Sequence, residues 1–169
     1  MISKEEIKRI IERYSKEYVT IGVLGTHSAL EICSGAKSEG FKTVALCQKG
    51  REKVYSKYFI SRERFGRKIG VVDEVVILDR FQDIVREDVQ DKLRMMNTIL
   101  IPHRGLAVYV GYSMIENILK IPIFGNRYLL KIEERGASFN QYNLLEKAGI
   151  PHPKIYSNPQ EIDRPVIVK

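Results

Sequence analysis

Two of the three histidines stand in short polar segments that each follow an apolar run and precede a helix-forming one. His27 lies in Gly25-Thr26-His27-Ser28, and His103 in Pro102-His103-Arg104-Gly105. An imidazole titrates near neutral pH and can donate, accept or move a proton. Thr26 and Ser28 add hydroxyls beside the first of them. A helix starting near Ser28 would turn free backbone N–H groups and the positive end of its dipole toward the same turn, which suits an anion such as a phosphate. Cys47, Gln48 and Lys49 close a third apolar run. The same residues also fit plainer roles: Thr26 or Ser28 as a helix cap, and either histidine as a hydrogen-bonded turn residue. Zinc held by His27, Cys47 and His103 is disfavoured, because the spacing is scattered and neither H-E-x-x-H nor C-x-x-C occurs. The absence of G-x-G-x-x-G and of G-x-x-x-x-G-K-[ST] disfavours a dinucleotide loop and a P-loop.

The elements that would position these residues follow from the apolar period. Ile7, Ile10, Ile11 and Tyr14 stripe a first helix, and Ser3 with Glu6 has capping-box spacing at its start. "VTIGVL" (19–24) reads as a strand, and Ser28 to Glu39 as a helix stopped by Gly40. "KTVALC" (42–47), "DEVVILD" (73–79) and "TILIP" (98–102) read as further strands, with "EDVQDKLRMM" (87–96) as a helix carrying Val89, Leu93 and Met96 on one face. "AVYVGYSMIENIL" (107–119) predicts a short helix and "IPIFGN" (121–126) one more strand. This alternation predicts an α/β fold, a Rossmann-like open parallel sheet covered on both faces. Ligands of such sheets bind outside the carboxyl ends of the strands. Spacing alone favours the plainer roles, and the expected convergence of His27 and His103 on that one edge is what raises the ligand reading beside them.

Composition bounds the rest. A chain of 169 residues, 44% hydrophobic, can bury a core and fits one domain, or one plus a fragment. No apolar run reaches the length needed to span a bilayer, and the first eighteen residues carry no signal-peptide core, so a cytoplasmic protein is expected, with no membrane partner. Cys33 and Cys47 form no disulfide framework, and two free thiols are predicted, Cys33 as a small buried hydrophobe in its helix. The net charge of +7 is concentrated: Lys49 to Gly70 holds eight Lys or Arg against Glu52 and Glu63, which is +6 of it. Tyr55, Tyr58, Phe59 and Phe65 interleave those cations, a pattern that can track a phosphate backbone. Without an RNA- or DNA-binding signature, exposed surface or the phosphate of a small ligand is the better reading, and no nucleic-acid partner is expected.

The last forty residues change character. "GASFNQYNLLEKAGIPHPKIY" predicts a helix closed by Gly149 ahead of Pro151 and Pro153, and "NPQEIDRPVIVK" a turn or short helix and the start of a strand. A sheet edge left unpaired at "VIVK" is unusual, so a piece of a longer protein is expected. Lys169 closes that apolar run, where a lysine either reaches a partner or is simply the last residue. Arg127 and Arg135 bracket "RYLLKIEER", a polar surface with phosphate-binding potential or solvated charge.

"LGTHSALEICSGAKSEGFKTV", "IPHRGLAVYVG", "IPIFGNRYLLKIEERG" and "LLEKAGIPHPKIYSNPQEIDRPVIVK", in that order, resemble the archaeal formate-dependent FAICAR synthetases, ATP-grasp ligases of purine biosynthesis. These make 5-formaminoimidazole-4-carboxamide ribonucleotide (FAICAR) from formate, ATP and aminoimidazole-carboxamide ribonucleotide (AICAR). The resemblance implies a Rossmann-like domain over residues 1–126 and the beginning of an ATP-grasp domain over 127–169. It implies ATP and Mg²⁺ as cofactors, with the metal carboxylates beyond Lys169, and formyl phosphate as the activated species captured by the amine. AICAR, formate and ATP would be the partners, and a homo-oligomer the assembly. By the same resemblance Thr26, His27, Ser28, His103 and Gly105 hold AICAR, while Arg127 and Lys169 contact ATP, and no catalytic residue lies in this stretch. One position departs: the family reads Pro-His-Gly-Ser with the serine on substrate, and this chain has Gly105 in the serine's place, after Arg104. A paralogue with another amine acceptor and a stand-alone ribonucleotide-binding module are the alternatives.

Overall fold

The computed structural model of the chain describes residues 1–134 and 137–167. It divides into two compact units, Met1–Leu130 and Lys131–Lys169. The division falls four residues past the boundary expected at Arg127.

The first unit is built on β1 (Thr20–Leu24), β2 (Lys42–Gln48), β5 (Glu74–Leu78) and β6 (Thr98–Leu100), all parallel, in the order β5-β2-β1-β6. The chain steps from β1 outward through β2 to β5 and then returns to the other side of β1 for β6. The strand order therefore reverses between β1 and β6, the place where open α/β sheets bind ligands. Between the strands run α1 (Lys4–Ile11, ahead of β1), α2 (Ala29–Ser38) and α3 (Glu87–Met95), and after β6 come α4 (Arg104–Val110) and α5 (Tyr112–Asn117).

Because side chains alternate across a strand, the sheet buries both faces, each with its own cluster. Val23, Ala45 and Cys47 point to the α2 side and meet Ala29, Cys33, Tyr55 and Val72. Leu24, Val44, Leu46, Val76, Leu78 and Leu100 point to the other side, where Phe81, Ile84, Leu93, Leu106 and Ile115 close over them. Gly22 is required by closeness: a Cβ there would lie 2.5 Å from Thr98 Cγ2 and 2.9 Å from Leu100 Cδ2 across the β1–β6 pair.

Four expectations change. The predicted strand over 121–126 is a single parallel bridge, Leu100 to Ile123, with Leu100 N–H donating to Pro122 O at 2.8 Å and Phe124 N–H to Leu100 O at 2.8 Å. Pro122 has no N–H to extend the ladder, and Gly125 turns away at φ +87°. The predicted helix over 107–119 is two helices, α4 and α5, parted at Gly111 with φ +87°. The first helix stops at Ile11, before Tyr14, whose hydroxyl donates to Thr98 O at 3.2 Å. The basic segment is built rather than loose: a π-helical turn (Val54–Tyr58) is followed by a hairpin of β3 (Arg62–Arg64) and β4 (Arg67–Ile69). Phe65 and Gly66, at φ +52° and +70°, supply the two left-handed residues of its two-residue turn.

In the second unit, α6 (Gln141–Lys147) is capped by Asn140, whose side chain accepts from Tyr142 N–H, and the chain beyond it turns at Gly149, φ +65°. A 3-10 turn follows at Pro159–Glu161, and Val166 and Ile167 take no regular structure. Lys169, expected to end a strand and reach ATP, and Arg135 lie outside the described residues.

Candidate functional site

The turn after β1 is held by its own backbone. Gly25 N–H donates to Leu46 O at 2.7 Å, Thr26 N–H to Leu24 O at 2.6 Å, and Ala29 N–H to Thr26 O at 3.0 Å. His27 sits between these anchors at φ +40°, a left-handed conformation that histidine adopts more readily than most residues but that still costs energy. Its side chain is exposed, as is that of Ser28. Ser28 occupies the N-cap position of α2 yet makes no side-chain cap bond. The capping role that the sequence allowed for it is therefore unused, and its hydroxyl stands beside the first amides of the helix.

His103 joins the second loop to this turn. Its Nδ1 accepts from Gly105 N–H at 3.0 Å and caps α4, so the ring proton is assigned to Nε2, which faces Leu24 O at 2.9 Å. Burial holds the pKa of His103 below the ordinary histidine value; the Leu24 carbonyl works against that, and His27 adds to it. The ring is thus a neutral strut between the end of β1 and the start of α4. Both nitrogens are occupied, so in this structure the ring ties the two loops together. The His27 and His103 rings lie 6.4 Å apart between centroids, inclined by 47°.

Gly105 closes the space between the loops. A Cβ on it would collide with Thr26 Oγ1 and lie 2.6 Å from His103 Cε1. Thr26 Oγ1 is buried with no hydrogen-bond partner among the described residues. The structure therefore brings Thr26, His27, Ser28, His103 and Gly105 into one cluster at the strand-order reversal. Tyr55, which carries no period or motif to single it out, packs against the same turn: its Cε2 and Cys47 Sγ are 3.1 Å and 2.8 Å from where a Cβ on Gly25 would be.

One expected residue lies elsewhere. Arg127 is 7% exposed. Its Nη1 donates to Ile115 O at 3.0 Å and Leu119 O at 2.6 Å, and its Nη2 to Ile121 O at 2.9 Å. This correction has a physical reason: the guanidinium satisfies carbonyls at the end of α5 and has no face left for a nucleotide. Cys47 is buried with its thiol pushed up to about 12 by burial, by Glu52 and by Cys33; Cys33, also buried, is likewise near 12. Both thiols are free. Among the described residues no group of three His, Cys, Asp or Glu gathers to hold a metal, and no helix is long and apolar enough to cross a membrane.

A parallel sheet whose loops after β1 and β6 meet at its topological reversal, joined by a half-buried histidine, defines an open Rossmann-like α/β unit. Sequence relationships make this particular: the chain belongs to the family DUF1246, described as a protein of unknown function, whose model matches residues 21–156. Curated relatives named 5-formaminoimidazole-4-carboxamide-1-(beta)-D-ribofuranosyl 5'-monophosphate synthetase are 42% identical over 100% of this chain in Methanopyrus kandleri and 44% identical over 99% in Methanothermobacter thermautotrophicus. The chain spans only 44% and 43% of the length of those two relatives. The crystal structure of an IMP biosynthesis protein PurP from Thermococcus kodakaraensis matches with a TM-score of 0.62 at 30% identity, covering 85% of this chain and 41% of that one.

Proposed function

We propose that this chain is the acceptor-binding part of an ATP-dependent ligase that formylates AICAR with formate to give FAICAR. The observation that carries the proposal is the meeting of the Thr26–Ser28 turn with the Pro102–Gly105 loop at the reversal of strand order. It occurs in a chain 42–44% identical, over nearly its whole length, to proteins named as that synthetase. The 5′-phosphate of AICAR lies against the first amides of α2, where the helix dipole favours negative charge. The Ser28 and Thr26 hydroxyls donate to it, and Thr26 Oγ1 thereby gains the partner it lacks. His27, exposed beside the phosphate, orients the nucleotide, while His103 and Gly105 hold the second loop at the right distance. ATP, with Mg²⁺, supplies the phosphoryl group that activates formate; its binding residues are assigned to chain outside the described part. A cytoplasmic location follows from a nucleotide substrate of central metabolism.

Calorimetric titration of the 169-residue chain with AICAR tests this. The wild-type chain binds at one site, and His27→Ala weakens binding by roughly tenfold or more, the loss expected for a hydrogen bond to a charged group. Binding that is absent, or that is indifferent to the substitution, removes the site from this turn.

A further inference from the structure

The β3–β4 hairpin collects cations on one of its faces. In its ladder Arg62 lies opposite Ile69, Glu63 opposite Lys68, and Arg64 opposite Arg67. Directly opposed residues share a face and neighbours along a strand alternate, so Arg62, Arg64, Arg67 and Ile69 line one face, and Glu63 with Lys68 the other. The second face is balanced in charge, while the first has three arginines and no acid. All three arginines are exposed, and among the described residues none of them makes an ion pair. Arg64 against Arg67 is a like-charge pair across a ladder, which costs stability unless an anion lies between the two. An open hollow of about 510 Å³ is lined by Arg64, Phe65, Arg67 and Ile69, the residues of that same face and the tip beside it.

The hairpin is held at its base. Ser61 N–H donates to Val72 O at 2.6 Å and Val71 N–H to Phe59 O at 2.9 Å, and a Cβ on Gly70 would collide with the Ile60 carbonyl. Arg62 Nη1 donates to Lys57 O at 2.9 Å, which ties the hairpin to the π-helical turn. The two elements repeat one pairing, a cation set over an exposed ring. Lys57 Nζ is 5.7 Å from the centre of the Tyr58 ring, and the Arg64 guanidinium 5.1 Å from that of Phe65. Tyr58 is 61% exposed and Phe65 90%, so neither ring is taken up by the core. Each is a surface on which a planar group can stack, beside a cation that can meet a phosphate. Acidic side chains or anionic lipid headgroups satisfy the arginines but offer no planar ring to stack. An unpaired nucleic acid strand supplies a charge and a ring at every residue, whereas a duplex keeps the faces of its bases within its own stack.

We infer that the β3–β4 hairpin and the π-helical turn form a docking surface for single-stranded nucleic acid, with the hairpin arginines on phosphates and Phe65 against a base. Sequence alone shows no RNA- or DNA-binding signature in this segment; the one-sided charge emerges only from the register of the hairpin. The inference does not depend on the binding of AICAR. Its test is fluorescence anisotropy of the 169-residue chain with labelled single strands of RNA and of DNA about ten nucleotides long, and with a duplex of the same length. Wild type should bind the single strands more tightly than the duplex, with an affinity that falls steeply as salt rises. A preference for RNA over DNA, or the reverse, identifies the strand that the surface serves, and either supports the inference. Phe65→Ala should weaken single-strand binding by roughly fivefold or more, the loss of one stacked base, and leave duplex binding as it was. The double variant Arg64→Ala, Arg67→Ala should flatten the dependence of log affinity on log salt by about 1.4, two phosphate contacts at roughly 0.7 each. A wild-type chain that binds no single strand at low salt overturns the inference, as does single-strand binding that Phe65→Ala leaves unchanged. Polyglutamate or phosphatidylglycerol vesicles that displace the strand as well as unlabelled RNA does would overturn it in favour of an acidic protein or a membrane surface. Displacement of the strand by AICAR would overturn it by moving the strand to the turn at His27. The wild-type comparisons need no variant, and the substituted side chains are exposed.

Discussion

His103 shows how much one side chain determines at this rim. It is half-buried, neutral, and bonded through both nitrogens, and its protonation would put a proton where Gly105 N–H now donates. The sign of the pH dependence follows. The folded-state pKa lies below the ordinary value of 6.5, so this stabilisation is complete above that pH and is lost as pH falls toward and through the folded value. Between about pH 7 and pH 5 wild type should therefore lose stability that a His103→Asn chain does not, read from urea midpoints at each pH. Asparagine still caps α4 but cannot titrate. The His27–Ser28 pair was legible in the sequence because the turn residues follow a strand pattern directly. Its geometry was not: neither the left-handed backbone of His27 nor the close fit of Gly105 against Thr26 leaves any trace in spacing.

At the level of elements, the sheet and its flanking helices could be read because each strand is buried on both faces and so appears as an unbroken apolar run. The boundaries of β1, β2, β5 and α2 fall within a residue or two of the expected ones. The β3–β4 hairpin could not be read, because its strands are charged and exposed and carry no alternating apolar signal. Phe65 at its tip is 90% exposed, with the Arg64 guanidinium 5.1 Å from its ring, so its aromatic character also marks no core. Arg127 misleads in the opposite direction. An arginine in a polar stretch looks like surface charge, and only the folded chain places three carbonyls around it. Burial pulls its pKa down, the cost of holding a charge there, while Tyr128 and Glu6 support the charged form. Arg127→Met should destabilise the first unit by about 3 kcal/mol, because the carbonyls of Ile115, Leu119 and Ile121 are left without donors. A chemical-denaturation curve that does not move would show that water replaces the guanidinium at no cost.

For the whole molecule, the division at Leu130 means that the entire sheet, both core clusters and every residue of the candidate site belong to the first unit. A chain of residues 1–130 should therefore unfold in one cooperative urea transition and bind AICAR within about twofold of the 169-residue chain. Loss of binding in a shortened chain that still folds would assign part of the site to the second unit. The net charge of +7, which first suggests a polyanion partner, comes almost wholly from residues 49–70, the stretch that holds the π-turn and the hairpin. It reports on that excursion rather than on the α/β body.

The layer between α2 and the sheet is made of small side chains: Ala29, Cys33 and Ala36 on the helix, with Val23, Ala45 and Cys47 beneath. So thin a spacer brings the helix axis close to the strands and leaves no slack to absorb added volume. The height of the first amides of α2 above the strand ends is therefore set by atoms several residues away from any ligand. In evolutionary terms, drift at Cys33 or Ala45 would shift the start of α2, and with it the proposed phosphate contact, without altering a single residue of the turn.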